Sequence, residues 1–363
     1  MNRGGAELRT LDVMRHVNPA HVHMDFCTLS GLPGELDSEI VRMEGEVYPC
    51  KLGVGFGRRF RALIRDLKPD VIHSHVHYVS GYILYLASKE RVSVRVAHFR
   101  STGDGKKNTW KRWAQNMVLR RLIDINATNI LAVSNAAMNS AWLQYMPEDA
   151  RCTVIYNGLD TTAYENIGSS ADVRSELGVS VDTKIVINIS KFAPEKNHLK
   201  MVSVLHKLRQ RGITPVLVLV GKGDNALQEE VIRRAQELGV ADQLRIVGIR
   251  SDVPRLIAAA DALLFPSLRE GLPGVVLEAC IVGTPVVAST LPGILEISER
   301  FETVKCLDVD AADEYWADRV TNALDLNICR TGAIKSFRAS EFTVEKASRS
   351  LENVWRGGQH VNA

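Results

Sequence analysis

An alternation that begins at residue 184 constrains the fold of this chain more than any other feature. Six short apolar runs recur there: KIVINIS (184–190), PVLVLVG (215–221), LRIVG (244–248), ALLFPS (262–267), PVVAS (285–289) and VKCLD (304–308). Helical stretches lie between them. In 196–210 the apolar residues Leu199, Val202, Leu205 and Leu208 fall three apart, along one helix face, and 224–238 is a second such stretch. Strands apolar on both faces, alternating with amphipathic helices, predict a parallel sheet covered on both sides. That is a doubly wound α/β domain.

The first half repeats the pattern less cleanly. DVIHSH (70–75), VRVAH (94–98), ILAVS (130–134) and CTVIY (152–156) are expected strands, with one helix after Glu7 and another across 107–125. VIYNGLD (154–160) ends this series, and the polar stretch 161–182 is expected to be a hinge. A chain of 363 residues suits two domains. We expect an N-terminal domain over 1–163, a C-terminal domain over 164–339, and a segment 340–363 that returns to the first domain through a helix at Val344–Trp355. Two Rossmann-like domains of this kind bind ligands at the C-terminal edges of their strands. One irregularity stands at the start: MNRGGAELRT opens on a glycine turn and a helix, where a doubly wound domain normally has its first strand.

Several function classes are excluded early. No apolar run reaches the roughly 18 residues of a membrane span, and the N-terminus has no signal-peptide core. The six cysteines form no CxxC pair, which predicts reduced, buried thiols and a cytoplasmic protein, not a disulfide framework or zinc ribbon. The net charge of +3 is local in origin: residues 1–165 carry 21 Lys/Arg against 17 Asp/Glu, and Arg100–Arg121 holds seven basic residues and one acid, Asp104. That predicts one basic face and not a nucleic-acid-binding protein.

The candidate chemistry sits at strand ends. In KFAPEKN (191–197) two lysines, Lys191 and Lys196, follow a strand and precede a helix, a placement suited to a diphosphate if they are not simply surface cations. RGGAE (3–7) offers Gly4 and Gly5 at a helix start, where amides can approach an oxyanion. GKGDNA (221–226) fits the dinucleotide fingerprint, but no acid ends the next strand to hold a ribose, so a tight strand-to-helix turn is the better reading. His73, His75 and His77 alternate and should share one face, spanning about 13 Å, too far for all three to bind one zinc simply. His98 ends its own strand and should project into the cleft, unless it is a core histidine.

REGLPGVVLEA (269–279) places Glu270 and Glu278 eight positions apart. With a helix opening at Gly271–Pro273, proline near its first position, the two carboxylates are separated by roughly 12 Å of helical rise. Glycosidase pairs sit about 5–9.5 Å apart, so these residues are not read as an acid/base dyad. They instead suit an extended ligand with hydroxyls at both ends and phosphate between, as in a nucleotide diphosphate-sugar.

EGLPGVVLE resembles the E-x7-E motif of retaining GT-B glycosyltransferases of family 4. The likeness runs through RGGAE, VIHSH, VAH, LAVSNAA, VIYNGLD, SKFAPEKN, VGKGD and DVPRLIAAADALLFPSLREGLPGVVLEACIVGTPVVAS, in that order. The combination is most similar to the exopolysaccharide and O-antigen branch. The resemblance implies a GT-B fold and a cytoplasmic enzyme that transfers a hexose from a UDP- or GDP-sugar with retention, with no metal and no cofactor. His98, Lys191, Lys196 and Glu270 would be catalytic. His98 would contact the transferred sugar, the lysines would stabilise the leaving diphosphate, and Glu270 would hold the sugar hydroxyls. Gly4, Gly5, Gly271, Leu272, Pro273, Gly274 and Glu278 would bind the donor, with Glu278 on the ribose. Ile249 and Arg250, in the loop Gly248–Asp252, would face the base, and His75 and Arg3 the acceptor.

Family members place a strand of about ten residues before the GGAE turn; either the true start lies upstream or this copy is truncated, and loss of that strand would expose neighbouring strand edges. The basic stretch 106–122, with Trp110 and Trp113, is either an interfacial segment on an anionic membrane near a lipid-linked glycan acceptor or a solvated helix with its tryptophans packed inward. Two competing functions are a GT-B nucleotide-sugar epimerase, which lacks this E-x7-E context, and a non-catalytic nucleotide- or glycan-binding protein.

Overall fold

In a computed structural model of the protein, residue 1 and residues 4–103, 109–165 and 167–357 are described. The chain divides into two compact units, Met1–Asp160 with Glu341–Ala363, and Thr161–Ser340.

The first unit holds β1 (Phe26–Thr28), β2 (Val47–Pro49), β3 (Val71–Ser74), β4 (Val94–Phe99), β5 (Asn129–Ala132) and β6 (Cys152–Val154). Strands β3 to β6 lie side by side in sequence order, all parallel, and β1 pairs with β2 as a separate two-stranded sheet. Among the described residues no backbone pairing joins the two sheets, so β3 has a neighbour on one side only. The helix Gly5–His16 and the returning helix Val344–Trp355 pack with β4 and β5 through Val13, Val17, Val96, Leu131, Leu351 and Val354.

The second unit holds β7 (Ile185–Ile189), β8 (Val216–Val220), β9 (Leu244–Gly248), β10 (Ala262–Phe265), β11 (Val286–Ser289) and β12 (Val304–Leu307). Their spatial order is β12-β11-β10-β7-β8-β9, all parallel. These strands read as unbroken apolar runs because both faces are buried: all five residues of β8 and all four of β10 are buried. One core gathers β7, β8 and β10 with the helices His198–Gln210 and Asp313–Leu324, around the fully buried Trp316.

Three expectations change. The polar stretch 161–182 is not loop throughout: it contains the helix Ser170–Glu176, whose Val173 is buried and whose Glu176 pairs with Arg250 and Arg255. The thiols are not uniformly buried, since Cys27 and Cys329 are exposed. The tryptophans of the basic helix Trp110–Asn126 do not pack inward; Trp110 is 75% and Trp113 56% exposed. Lys106 and Lys107 of that basic stretch lie outside the described residues. Among the described residues no helix is long and apolar enough to cross a membrane.

The chain returns to the first unit at a tight crossing. Leu159 N–H donates to the Phe342 carbonyl (2.9 Å) and Val344 N–H to the Leu159 carbonyl (3.1 Å). A Cβ on Gly158 would lie 2.4 Å from Val344 Cα and 2.5 Å from the Thr343 carbonyl oxygen, so only glycine fits beside the returning backbone. Gly158→Ala is therefore expected to destabilise the first unit by roughly 1–3 kcal/mol through overpacking, read as a lower midpoint in chemical denaturation.

Candidate active site

Strand order reverses between β7 and β10. From β7 the chain proceeds outward through β8 and β9, and from β10 it proceeds the other way through β11 and β12. Loops leaving the C-terminal ends of β7 and β10 lead away on opposite sides of this switch point, the place where open α/β sheets bind ligands. Lys191 and Lys196 follow β7, and Glu270 follows β10.

The two loops are tied together. Leu268 N–H donates to the Glu195 carbonyl (2.8 Å), and Lys196 Nζ meets Glu270 Oε1 at 2.5 Å. The Lys196 ammonium also lies 5.6 Å from the centre of the Phe265 ring. The paired side chains are only 16% and 12% exposed, so this is no solvated surface bridge. Removing either partner would leave the other charge largely shut off from water. Lys191 differs: it is 64% exposed and pairs with Glu195 at 3.1 Å.

Below the loops runs a polar chain that the sequence reading missed. Asn188 Nδ2 donates to the Leu264 carbonyl (2.8 Å), joining β7 to β10 inside the sheet. Ser190 Oγ donates to Asn188 Oδ1 (2.6 Å), and with its proton so engaged it accepts from His198 Nε2 at 3.2 Å. His198 stacks on Phe192 (4.4 Å between centroids) and opens the helix His198–Gln210. Burial, aided by the Lys196 charge, pushes the His198 imidazole down to about 4, so it stays neutral. The available signal was polar residues in a core strand, at Asn188 and Ser190 of INIS.

The second glutamate sits differently from its expected place. The helix spans Gly274–Val282, capped by the backbone of Pro273 and by no side chain, so Gly271–Pro273 are an extended turn and not its first residues. Glu278 is thus its fifth residue, and only about 6 Å of helical rise separates Gly274 from it, not the 12 Å inferred for an unbroken helix from Glu270. Leu272 is buried, and the Gly271 carbonyl rests against Gly293, where a Cβ would fall 1.6 Å from that oxygen.

In the loop after β9, Ile249 is 71% exposed, while Arg250 is bound to Asp252 (2.7 Å) and Glu176 (2.9 Å). Arg250 holds Asp252 down to about 2. At GKGDNA, Asp224 Oδ1 accepts from the amides of Ala226 (2.9 Å) and Leu227 (3.3 Å). The protein's own carboxylate fills the helix N-terminus where a dinucleotide pyrophosphate would sit.

In the first unit, Gly4 caps the helix Gly5–His16, and a Cβ on it would lie 2.5 Å from Glu7 Oε2, so Glu7 covers that N-terminus. Arg3 lies outside the described residues. The expected row of His73, His75 and His77 breaks, because β3 ends at Ser74 and His77 has φ +50° in a separate helical turn. His98 takes its place. It is 2% exposed, short of the strand end at Phe99, and its ring centroid lies 5.1 Å from His73 and 5.2 Å from His75. One ring nitrogen from each of His73, His75 and His98 falls within 4.8 Å of the others, near enough to hold a metal ion.

Comparison with known proteins settles the family. Residues 3–163 match Glycosyltransferase Family 4, and residues 169–338 match Glycosyl transferases group 1. EpsF of Bacillus subtilis (strain 168), named as a glycosyltransferase, is 30% identical over 273 residues, 73% of this chain and 71% of its own. The chain belongs to the group 1 glycosyltransferases. This glycosyltransferase is also 30% identical to the Staphylococcus aureus capsular polysaccharide biosynthesis glycosyltransferase CapH, over 73% of this chain and 72% of CapH. Its GT-B fold is that of Anabaena HepE in complex with UDP (TM-score 0.80, 20% identity, 98% of this chain and 96% of that one). WaaG, a glycosyltransferase involved in lipopolysaccharide biosynthesis, has the same fold (TM-score 0.70, 16% identity, 99% and 98% covered).

The histidine cluster gives this glycosyltransferase an acid sensitivity. Burial, then the nearby Arg100 charge, pushes His73 down to about 3; burial holds His75 and His98 well below the ordinary value of 6.5, with Arg100 and neighbouring histidines adding to it. The unfolded chain takes up these protons as pH falls below 6.5, and the native state refuses them. Stability is therefore full above that pH and is lost toward about 3, the value for His73. The slope is at most about 1.4 kcal/mol per pH unit for each histidine. Urea midpoints measured in steps from pH 7.5 to 4.5 should fall, and His73→Gln should flatten the decline.

Proposed function

We propose that the protein transfers a hexose from UDP-hexose to a polysaccharide acceptor with retention of anomeric configuration and without a metal. The Lys196–Glu270 pair at the β7/β10 switch point carries this reading, because it holds a cation and a hydroxyl acceptor together where such a fold binds ligands. The donor diphosphate replaces Glu270 as the anion beside Lys196, and Lys191 swings from Glu195 to the same phosphates. Glu270 then accepts hydrogen bonds from the sugar hydroxyls, the turn 271–274 lends its amides to the diphosphate, and Glu278 meets the ribose. Ile249 and Arg250 lie against the base.

In the transfer the bond from the anomeric carbon to the diphosphate oxygen breaks, and the acceptor oxygen bonds to that carbon on the same face. The acceptor proton passes to the departing phosphate. Charge growing on the diphosphate is met by Lys191 and Lys196, the part that a metal plays elsewhere. The HepE structures with UDP, with UDP and glucose, and with UDP-glucose support a UDP donor, and the names of EpsF and CapH support a polysaccharide acceptor. Transfer from UDP-hexose should fall on the order of a hundredfold or more in both Lys196→Ala and Glu270→Ala. Near-normal turnover in both variants would remove this site. UDP should raise the melting temperature of the wild type and not of Lys196→Ala.

The acceptor is a lipid-linked glycan at the inner face of the membrane, and the helix Trp110–Asn126 is the docking element. Its exposed Trp110, Trp113, Met117 and Val118 fall on one side, near Lys111. Co-sedimentation with vesicles containing anionic lipid should be lost when Trp110 and Trp113 become Ser. Unchanged binding to neutral vesicles as well would exclude an electrostatic dock.

A further inference from the structure

The histidine cluster has its protons arranged by a group that can only donate. Trp355 is the last residue of the helix Val344–Trp355, and its Nε1 lies 3.1 Å from His73 Nδ1. An indole nitrogen is a donor alone, so His73 Nδ1 is the lone-pair nitrogen and the His73 proton sits on Nε2. His73 Nε2 in turn lies 3.0 Å from His98 Nδ1. Since the first of these donates, the second accepts, and the His98 proton is driven to its own Nε2. That nitrogen is buried and has no partner among the described residues. Burial and the Arg100 charge keep His73 and His98 neutral, as the arrangement needs, because an imidazolium would donate from both nitrogens and break the chain of bonds.

We propose that Trp355 and His73 are positioning residues that hold His98 as its Nε2–H tautomer, so that His98 offers a hydrogen-bond donor, and not an acceptor, to an oxygen of the sugar. Only the identity of that oxygen rests on the transferase reading; the tautomer follows from the contacts. The proposal also accounts for the buried, unpartnered donor, which is left for a ligand to satisfy. It weighs against a metal among His73, His75 and His98, although their nitrogens lie within 4.8 Å. A histidine that ligates a metal donates its other ring N–H to an acceptor, and the other nitrogen of His73 faces a donor.

The test is nitrogen-15 NMR of histidine-labelled protein at neutral pH, where two-bond proton–nitrogen correlations separate the tautomers. The wild type should show both His73 and His98 as Nε2–H. Trp355→Phe keeps an aromatic ring and removes the donor; His98 should then become a mixture of tautomers. The turnover number should fall about tenfold with the donor KM within about twofold, the loss of roughly one oriented hydrogen bond. His73 supplies a second route should Trp355→Phe fold poorly. His73→Gln, whose amide can still donate to His98 Nδ1, should keep the Nε2–H tautomer and most of the activity, and His73→Leu should lose both. An Nδ1–H tautomer at His98 in the wild type would overturn the proposal. So would unchanged His98 spectra in Trp355→Phe and His73→Leu, or one equivalent of zinc bound by the purified protein. If the spectra behave as expected and His98→Ala transfers sugar normally, the tautomer relay stands and the sugar-contact reading of His98 falls.

Discussion

The parallel pairing of β7 with β10 is the contact on which the candidate site depends. It makes neighbours of strands far apart in the sequence, with Ala262 opposite Val186 and Leu263 opposite Ile187. The chain leaves these strands in opposite directions, which makes their junction the topological switch point of the sheet. Asn188 locks the pairing from within by bonding to the Leu264 carbonyl, and Ser190 and His198 extend that bond upward to the loop that carries Lys196. The Lys196–Glu270 ion pair joins the loops that follow the same two strands. Its two charges are largely shielded from water, so they hold each other in place.

The first unit solves a different problem, that of orienting a neutral side chain. Charge cannot fix an imidazole that burial keeps uncharged; a directional donor can. That donor reaches His73 from the last residue of a helix that enters the unit beside Gly158. The return of the C-terminus therefore does more than cover apolar surface with Leu351 and Val354. It sets the polarity of a hydrogen-bonded row.

Much of the fold was legible because it rests on local patterns. The six strands of the second unit fall within the six apolar runs, and the last helix spans Val344–Trp355 as expected. The strands β1 and β2 gave no such signal, being three residues long and only partly buried. For the site, the roughly 12 Å inferred between Glu270 and Glu278 assumed a helix running unbroken from Glu270, and the helix starts later than the proline suggested. A proline at the N-cap and one in the first turn look alike in sequence. The alternation of His73, His75 and His77 misled because a strand period holds only while the strand lasts, and β3 ends at Ser74.

By itself the sequence determined the architecture, the family and the residue types at the strand ends, since these follow from burial periodicity and from motifs in a fixed order. Only the tertiary structure decided which of those residues meet. Lys196 and Glu270 are 74 positions apart, and Trp355 and His73 are 282 apart. No local pattern encodes such a pair. Each exists because two elements pack and bring a donor within reach of its acceptor, and hydrogen bonds and ion pairs act only over that short distance.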